Sequence, residues 1–258
     1  MKRLFLVFAL IGVVFSLAGC NGSDMVAKAT ESRSTKIGWG LKKVENAQPE
    51  VPDSWIQMLK KYDGYYLGNT KQKVMYLTFD EGYENGYTGK ILDVLKKTNT
   101  PAAFFVTGPY IKNEAELVKR MVDDGHIVGN HTVNHPSMPD LSESEIQKEL
   151  GDLNRLFYDV TKQNMKYMRP PRGEFSEISL ETTKKCGYKS IFWSIAYADW
   201  DTNMCHGGQY AVDKVTKQFH NGAIILLHAV SKDNAEGLEE IINTAKNQGY
   251  TFKSLDEL

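Results

Sequence analysis

The sequence predicts an α/β fold, a distorted (β/α) barrel of about seven parallel strands, and three observations carry that prediction. Short apolar runs of strand character alternate with stretches whose apolar residues recur at helical spacing, the pattern of parallel βα units. The leading run is a continuous apolar block, as a strand buried on both faces is. Polar or ionisable residues then stand where run after run ends: Asp80-Glu81, His131 and His135, Arg169, Asp199-Trp200 and His228. A barrel brings the C-terminal ends of its strands to one mouth. These residues are therefore a constellation.

The strand that anchors the prediction is Val74–Gly82, VMYLTFDEG, in which apolar residues run into two adjacent carboxylates. Buried carboxylates need a partner or a metal. Tyr87 to Lys97 follows as a helix, with Ile91, Leu92 and Leu95 at helical spacing, and Ala102–Thr107 after Pro101 is the second strand. Glu114 to Asp124 reads as a helix with Leu117, Val118 and Met121 inward and Gly125 as its C-cap. Ile127-Val128-Gly129 is a short strand that delivers His131. Ser142 and Glu145 make a capping box for a long amphipathic helix striped by Ile146, Leu150, Leu153 and Phe157.

Tyr167-Met168 leads to Arg169, and a helix spans Glu177 to Cys186. Ile191–Ile195 reads as a strand, Val212 to His220 as a helix, and Ala223–Leu227 as a strand ending at His228. A last helix, Ala235 to Gln248, is capped by Asn234 and stopped at Gly249, before a final strand at Tyr250-Thr251-Phe252.

The N-terminus differs from all this. Lys2 and Arg3 precede an apolar run from Leu4 to Ala18, too short to span a bilayer comfortably. Its ending, Leu17-Ala18-Gly19-Cys20, resembles a bacterial lipobox. Residues 1–20 thus read as a signal peptide that leaves Cys20 as a membrane lipid anchor, with an ordinary signal peptide or an uncleaved anchor as alternatives. Each puts the domain outside the cytoplasm. Residues 21–36 are small and polar, a tether. Residues 37–72 carry Trp39, Trp55, Tyr62, Tyr65 and Tyr66, too aromatic for a free linker, and are expected to pack on the barrel with Trp55 to Tyr62 as a short helix. The barrel domain is 73–258.

Among 258 residues, 31 Lys and Arg balance 32 Asp and Glu. That balance argues against nucleic acid or a polybasic membrane surface as partner. Cys186 and Cys205 are expected to stay unpaired, and there is no CxxC or zinc-ribbon spacing.

His131 and His135 stand four apart, which puts two imidazoles on one side of a turn. With a carboxylate from a neighbouring strand end they make a two-His, one-carboxylate site for a divalent metal. Histidines so spaced also satisfy loops, but carboxylates and His228 on matching strand ends favour chemistry. His126, His206 and His220 match no such pattern and read as structural or exposed. Asn134 reads as a loop hydrogen-bonder.

At these residues the sequence resembles the NodB-homology polysaccharide deacetylases, carbohydrate esterase family 4. TFDEG, HTVNH, RPPRG, ADW and LLH match the five motifs of that family, in family order. Longer stretches (TFDEGYENGYTGKILDVLKK, LVKRMVDDGHIVGNH, QGYTFKSLDEL) are similar to the δ-lactam-forming peptidoglycan N-acetylmuramic acid deacetylases of spore-forming bacteria. The resemblance covers nearly all of 73–258. It implies that Asp80 is the general base, oriented by Arg169, and that His228 is the general acid, paired with Asp199. It implies that His131, His135 and the second motif acid hold a divalent metal, usually zinc, and that a backbone N–H near Arg172 meets the oxyanion. Trp200 is expected to wall the site.

Two departures from the family pattern stand out. The second motif acid is Glu81 where the family has Asp, as spore-type relatives also depart. Glu81 as a direct ligand, as a ligand through water, and as a bystander beside a weakly held metal are all compatible with the sequence. Arg172 replaces an aromatic, and a cation there suits the lactyl carboxylate of muramic acid, free only after the peptide stem is removed. The implied function is de-N-acetylation of N-acetylmuramic acid in peptide-free peptidoglycan, leading to muramic-δ-lactam of spore cortex, with an amidase as pathway partner. The alternatives are a deacetylase of another glycan, such as N-acetylglucosamine in peptidoglycan or chitin, and a non-catalytic glycan-binding lipoprotein.

Overall fold

The computed structural model describes residues 32–42 and 44–258, and residues 34–258 form one compact unit. The signal segment and most of the tether lie outside the described residues. The elements in chain order are β1 (Ile37–Gly38), α1 (Asp53–Lys61), β2 (Gly64–Tyr65), β3 (Val74–Glu81), α2 (Thr88–Lys97), β4 (Ala102–Val106), α3 (Gly108–Asn113), α4 (Ala115–Asp123) and β5 (Ile127–Asn130). They continue with α5 (Glu143–Thr161), β6 (Tyr167–Met168), β7 (Glu174–Phe175), α6 (Glu177–Lys185), β8 (Lys189–Ile191), α7 (Gly208–Thr216), β9 (Ala223–His228), α8 (Lys232–Asn247) and β10 (Thr251–Phe252).

β3 is the centre of the sheet. All eight of its residues are buried, as a parallel strand covered on both faces requires. β9 pairs along one side of it, and β4 pairs with its last five residues, both parallel. The ladder continues in parallel through β5, β6, β8 and β2. The chain after β8 then returns to β9 through one bridge, Ile195 with Ile225, which curls the sheet into a distorted barrel. Helices pack outside, and one large core joins Met75, Leu77 and Phe79 of β3 to Ile91 and Leu95 of α2 and Ile241 of α8.

The long helix behaves as its sequence demands. Ser142 accepts from the Glu145 N–H while Glu145 returns to the Ser142 backbone, and Ile146, Leu150, Leu153 and Phe157 are buried. That cap contributes about 1 kcal/mol. Gly129, in β5, is required by contact. A Cβ there would stand 2.6 Å from the Phe105 ring.

Three local expectations need correction. Ile191–Ile195 is not one strand, because β8 stops at Ile191. Arg169 Nε takes the Ile191 carbonyl at 3.0 Å, and the Ser194 N–H donates to the Ile224 carbonyl at 2.9 Å, so the chain leaves β2 and crosses to β9. The helix expected from Val212 starts earlier, at Gly208, which packs against Gly237 of α8 too closely for any Cβ. The last helix begins at Lys232 and its N-cap is Ser231, not Asn234.

In the aromatic extension, Trp39 is buried against Phe192 and Phe175, with ring centroids 4.8 and 6.2 Å away. β1 pairs antiparallel with β7, and β2 joins the main sheet beside β8. Cys186 and Cys205 are free and exposed. Among the described residues no helix is long and apolar enough to cross a membrane.

Candidate active site

Side chains alternate along a strand, and on β3 that period decides which acid reaches the barrel mouth. Thr78 and Asp80 share one face. Arg169 grips both, donating from Nη2 to Thr78 Oγ1 at 2.8 Å and from Nη1 to Asp80 Oδ1 at 2.7 Å. Met75, Leu77, Phe79 and Glu81 fall on the other face, toward the helices. Arg169 is fully buried, with its guanidinium 4.3 Å from the Phe105 ring centroid. A desolvated cation of this kind is tolerable only because Asp80 pairs with it. Burial pushes the Asp80 carboxyl up, but Arg169, His131 and His228 together hold it below its ordinary value. Asp80 is therefore ionised.

The loop after β5 places the two histidines. Thr132 and His135 both adopt positive φ, 65° and 57°, and a β-branched residue there is strained. Local hydrogen bonds hold the loop: Asn130 Oδ1 accepts from the Thr132 N–H at 2.9 Å, and Thr132 Oγ1 from the His135 N–H at 3.0 Å. Asn134 instead binds Glu149 through its backbone N–H and its side-chain amide. His131 Nδ1 donates to the Arg169 carbonyl at 2.8 Å, which fixes the tautomer and turns Nε2 toward Asp80 Oδ2, 3.5 Å away. Burial lowers His131 to about 4, and burial also lowers His135. Both rings are neutral at pH 7, with centroids 4.8 Å apart.

Neutral imidazoles with an oriented lone pair suit a divalent cation, but the expected third ligand does not join them. Glu81 is fully buried on the opposite face of β3, and neither of its carboxylate oxygens has a hydrogen-bond partner. Burial, with the nearby charges of Glu84 and Asp80, pushes its carboxyl well above the ordinary value. Among the described residues no three His, Cys, Asp or Glu side chains group as metal ligands. The ligand set His131, His135 and Glu81 therefore does not fit a metal here, and the strand's period-two geometry is the reason.

β9 delivers His228 beside Asp80, since the two are register partners across the β3–β9 ladder. Asp199 receives the His228 Nδ1–H at 2.7 Å through Oδ1 and the His228 backbone N–H at 2.9 Å through Oδ2. Burial pushes the His228 imidazole down, but Asp199 outweighs it and Asp80 adds to it, so the ring titrates above its ordinary value. The exposed Trp200 ring lies 5.9 Å from His228. Arg172, in the RPPRG turn, is exposed at φ 58°. Gly173 follows at φ 66°, wedged where a Cβ would come 2.7 Å from Trp193 and 3.0 Å from Trp39.

These side chains meet in a cavity of about 550 Å³ lined by Asp80, His131, His135, Arg172, Trp200 and His228, with Tyr83, Trp193 and Tyr197. Arg169 and Asp199 stand behind Asp80 and His228, and Glu81 faces elsewhere. Sequence reasoning missed Thr78 and Asn234. Thr78 was legible as the same-face neighbour two residues before Asp80. Asn234 was legible only as a cap. The remaining histidines are not at the site: His220 bonds the Gln218 carbonyl and Ser194, His126 Nδ1 accepts from the Ala102 N–H, and His206 lies tilted against Tyr210, ring centroids 4.4 Å apart.

A family profile described as polysaccharide deacetylase matches residues 67–191. The chain is 51% identical over 236 residues to the peptidoglycan-N-acetylmuramic acid deacetylase PdaA of Bacillus subtilis, covering 90% of this chain and 89% of that protein. This chain belongs to the polysaccharide deacetylase family. The solved structure of B. subtilis PdaA, a family 4 carbohydrate esterase, superposes with a TM-score of 0.85 at 50% identity, covering 87% of this chain and 97% of that one. A family 4 carbohydrate esterase from Bacillus anthracis superposes at 0.74 with 46% identity, over 87% and 96% of the two chains. With the 51%-identical relative, this membership makes the chain a polysaccharide deacetylase, a hydrolase of a family generally dependent on a metal. The family profile stops before Asp199 and His228, so those two residues rest on the geometry above.

Proposed function

We propose that this deacetylase removes the acetyl group from N-acetylmuramic acid in peptidoglycan strands whose peptide stems are already gone. The observation that carries the reading is Asp80, gripped by Arg169, standing beside His228, gripped by Asp199, in one glycan-sized cavity. A base and a proton donor within reach of one bond are what amide hydrolysis needs. The name of the 51%-identical relative supports the sugar.

In this reading Asp80 Oδ2 takes a proton from water, whose oxygen attacks the acetyl carbon. The carbonyl electrons move to oxygen, and a backbone N–H near Arg172 receives that oxyanion. The oxyanion electrons then re-form the C=O bond as the C–N bond breaks and His228 Nε2 gives its proton to the departing nitrogen. This releases a free muramic amine and acetic acid, which loses its proton to water as acetate. Arg169 keeps Asp80 in place, and Asp199 raises the proton affinity of His228. Trp200 walls the sugar. A divalent cation, zinc first among those to try, would polarise the carbonyl and water. His131 and His135 would be the imidazoles to meet it.

Arg172 pairs with the lactyl carboxylate, which a peptide stem would mask as an amide. An amidase must then act first. The freed amine and that carboxylate sit on one sugar, so closure to muramic-δ-lactam of spore cortex gains from high effective molarity. The Lys2-Arg3 start, the apolar run and Cys20 support a lipid-anchored, extracytoplasmic enzyme. A tight substrate test is mass spectrometry of peptide-free and peptide-bearing strands after incubation with the protein. Loss of acetyl from muramic acid in peptide-free strands alone is expected. Loss from N-acetylglucosamine instead would overturn the substrate.

A further inference from the structure

The first turn of α8 reaches the Asp199–His228 pair from behind, and the reaction above makes no use of it. Asn234 is completely buried. Its Nδ2 donates to Asp199 Oδ2 at 2.6 Å and to the His228 carbonyl at 3.0 Å, while its Oδ1 accepts from the Tyr197 hydroxyl at 2.5 Å. The partners dictate the amide's orientation. Flipped, it would press a carbonyl oxygen against the Asp199 carboxylate.

Helix capping does not account for this side chain, because Ser231 is the N-cap and accepts from the Asn234 backbone N–H. The amide is spare for capping and spent on the acid pair. It ties the His228 backbone and the Asp199 carboxylate to one group, which fixes their separation. Its neighbour Asp233 acts on the adjoining loop, accepting from the His206 and Gly207 N–H groups at 2.8 and 2.9 Å. The charged or titratable groups facing His228 are Asp199, Asp80, Arg169 and His135. Of these, Asp199 alone hydrogen-bonds the His228 ring among the described residues, so whatever aims Asp199 aims the proton donor.

We infer that Asn234 is a positioning residue for the general acid, holding the Asp199 carboxylate square to His228 Nδ1 with its own amide set by Tyr197. Its consequence for rate rests on the deacetylase reading above. An amide is specifically required. A carboxylate at 234 would repel Asp199 or share a proton with it, and an apolar residue would leave Asp199 Oδ2 short of a buried donor.

The experiment compares wild type, Asn234→Leu, Asn234→Asp and Tyr197→Phe by two readouts. One is kcat and KM for acetate release from peptide-free glycan strands. The other is the low-field NMR signal of the His228 Nδ1–H, assigned by its loss in His228→Gln. For Asn234→Leu we expect kcat down on the order of 10- to 100-fold, the range found where a group orienting a metal-ligating side chain is removed, with KM nearly unchanged and the signal broadened or lost. Asn234→Asp should do no better. Tyr197→Phe, which deletes one oxygen, should give a smaller fall of the same kind. A folded Asn234→Leu protein with an intact signal and kcat within twofold of wild type overturns the inference. If the Asn234 variants do not fold, an unchanged signal and kcat in Tyr197→Phe overturns it. Should wild type release no acetate, the deacetylase reading fails alone, and the NMR signal still decides whether Asn234 positions the pair.

Discussion

Arg169 and Asp80 form a buried ion pair at 2.7 Å, and the same guanidinium also binds Thr78 and the Ile191 carbonyl. One side chain thus links β3, β6 and the end of β8 and aims the base. Removing one partner of such a pair strands a buried charge, which costs about 3–5 kcal/mol. Arg169→Met should therefore lower unfolding stability by that amount in urea melts. Adding Asp80→Asn to it should recover a large part, because neither charge then remains. Activity should be absent in both. If the double variant is no more stable than Arg169→Met, the pair is not the main contact at that position.

The pH profile follows from the two opposed shifts. Asp80 must be ionised and sits below its ordinary value, so activity survives to acidic pH and falls only as pH drops through that lowered value. His228 must be protonated and sits above its ordinary value, so the alkaline limb lies above about pH 6.5. Asp199→Asn removes the main group that raises His228. It should move the alkaline limb to lower pH and reduce kcat by about 10²–10⁴, the usual worth of a general acid. Stability has the matching signs. The His228 contribution is present below its unfolded value and lost as pH rises through the folded one. The Asp80 contribution is present above its unfolded value and lost as pH falls through the folded one. A kcat profile in Asp199→Asn with an unmoved alkaline limb would refute the pairing.

Glu81 separates the family pattern from this structure. A third metal ligand would make Glu81→Gln nearly inactive. A buried acid facing away from the cavity makes it nearly silent, and activity within a few-fold of wild type is expected. Stability discriminates further. Glu81 has a raised folded value, so its stabilising share is present below its unfolded value of about 4.3 and is lost as pH rises through the folded one. Urea melts should show Glu81→Gln gaining on wild type as pH rises. Equal stability of the two proteins from pH 5 to 9 would mean Glu81 is solvated or paired.

What the sequence revealed and what it hid have physical causes. Strand ends were legible because a parallel barrel shows its chemistry where apolar runs stop, and Asp80, His131, Arg169 and His228 all lie at or just past one, while Asp199 follows β8 by eight residues. Glu81 was misplaced because adjacency in sequence hides the alternation of faces: one residue along β3 turns from cavity to helix layer. The break after Ile191 was invisible because IFWSI keeps strand composition throughout. What interrupts it is a guanidinium supplied from Arg169, 22 residues earlier. Asn234 was read by its local preference for helix starts, whereas tertiary contact with Asp199 decides its side chain.

Arg172 offers the sharpest test of substrate choice, because its backbone and its charge can be separated. At φ 58° it occupies the left-handed region, which costs a non-glycine residue about 1 kcal/mol. Arg172→Gly relieves that cost and frees the unfolded chain by a similar amount, so stability should stay within about 1 kcal/mol of wild type. The charge is lost outright. Arg172 is exposed at the cavity rim, so its pairing with a substrate carboxylate is solvent-screened and is worth about 1 kcal/mol rather than the 3 of a buried pair. KM for peptide-free strands should rise roughly fivefold, since 1.4 kcal/mol is tenfold, with KM for peptide-bearing strands unchanged. Arg172→Lys, which keeps the charge but loses the bidentate fork, should fall between. Unaltered preference for peptide-free strands in Arg172→Gly would show that the lactyl carboxylate is read elsewhere, or not at all.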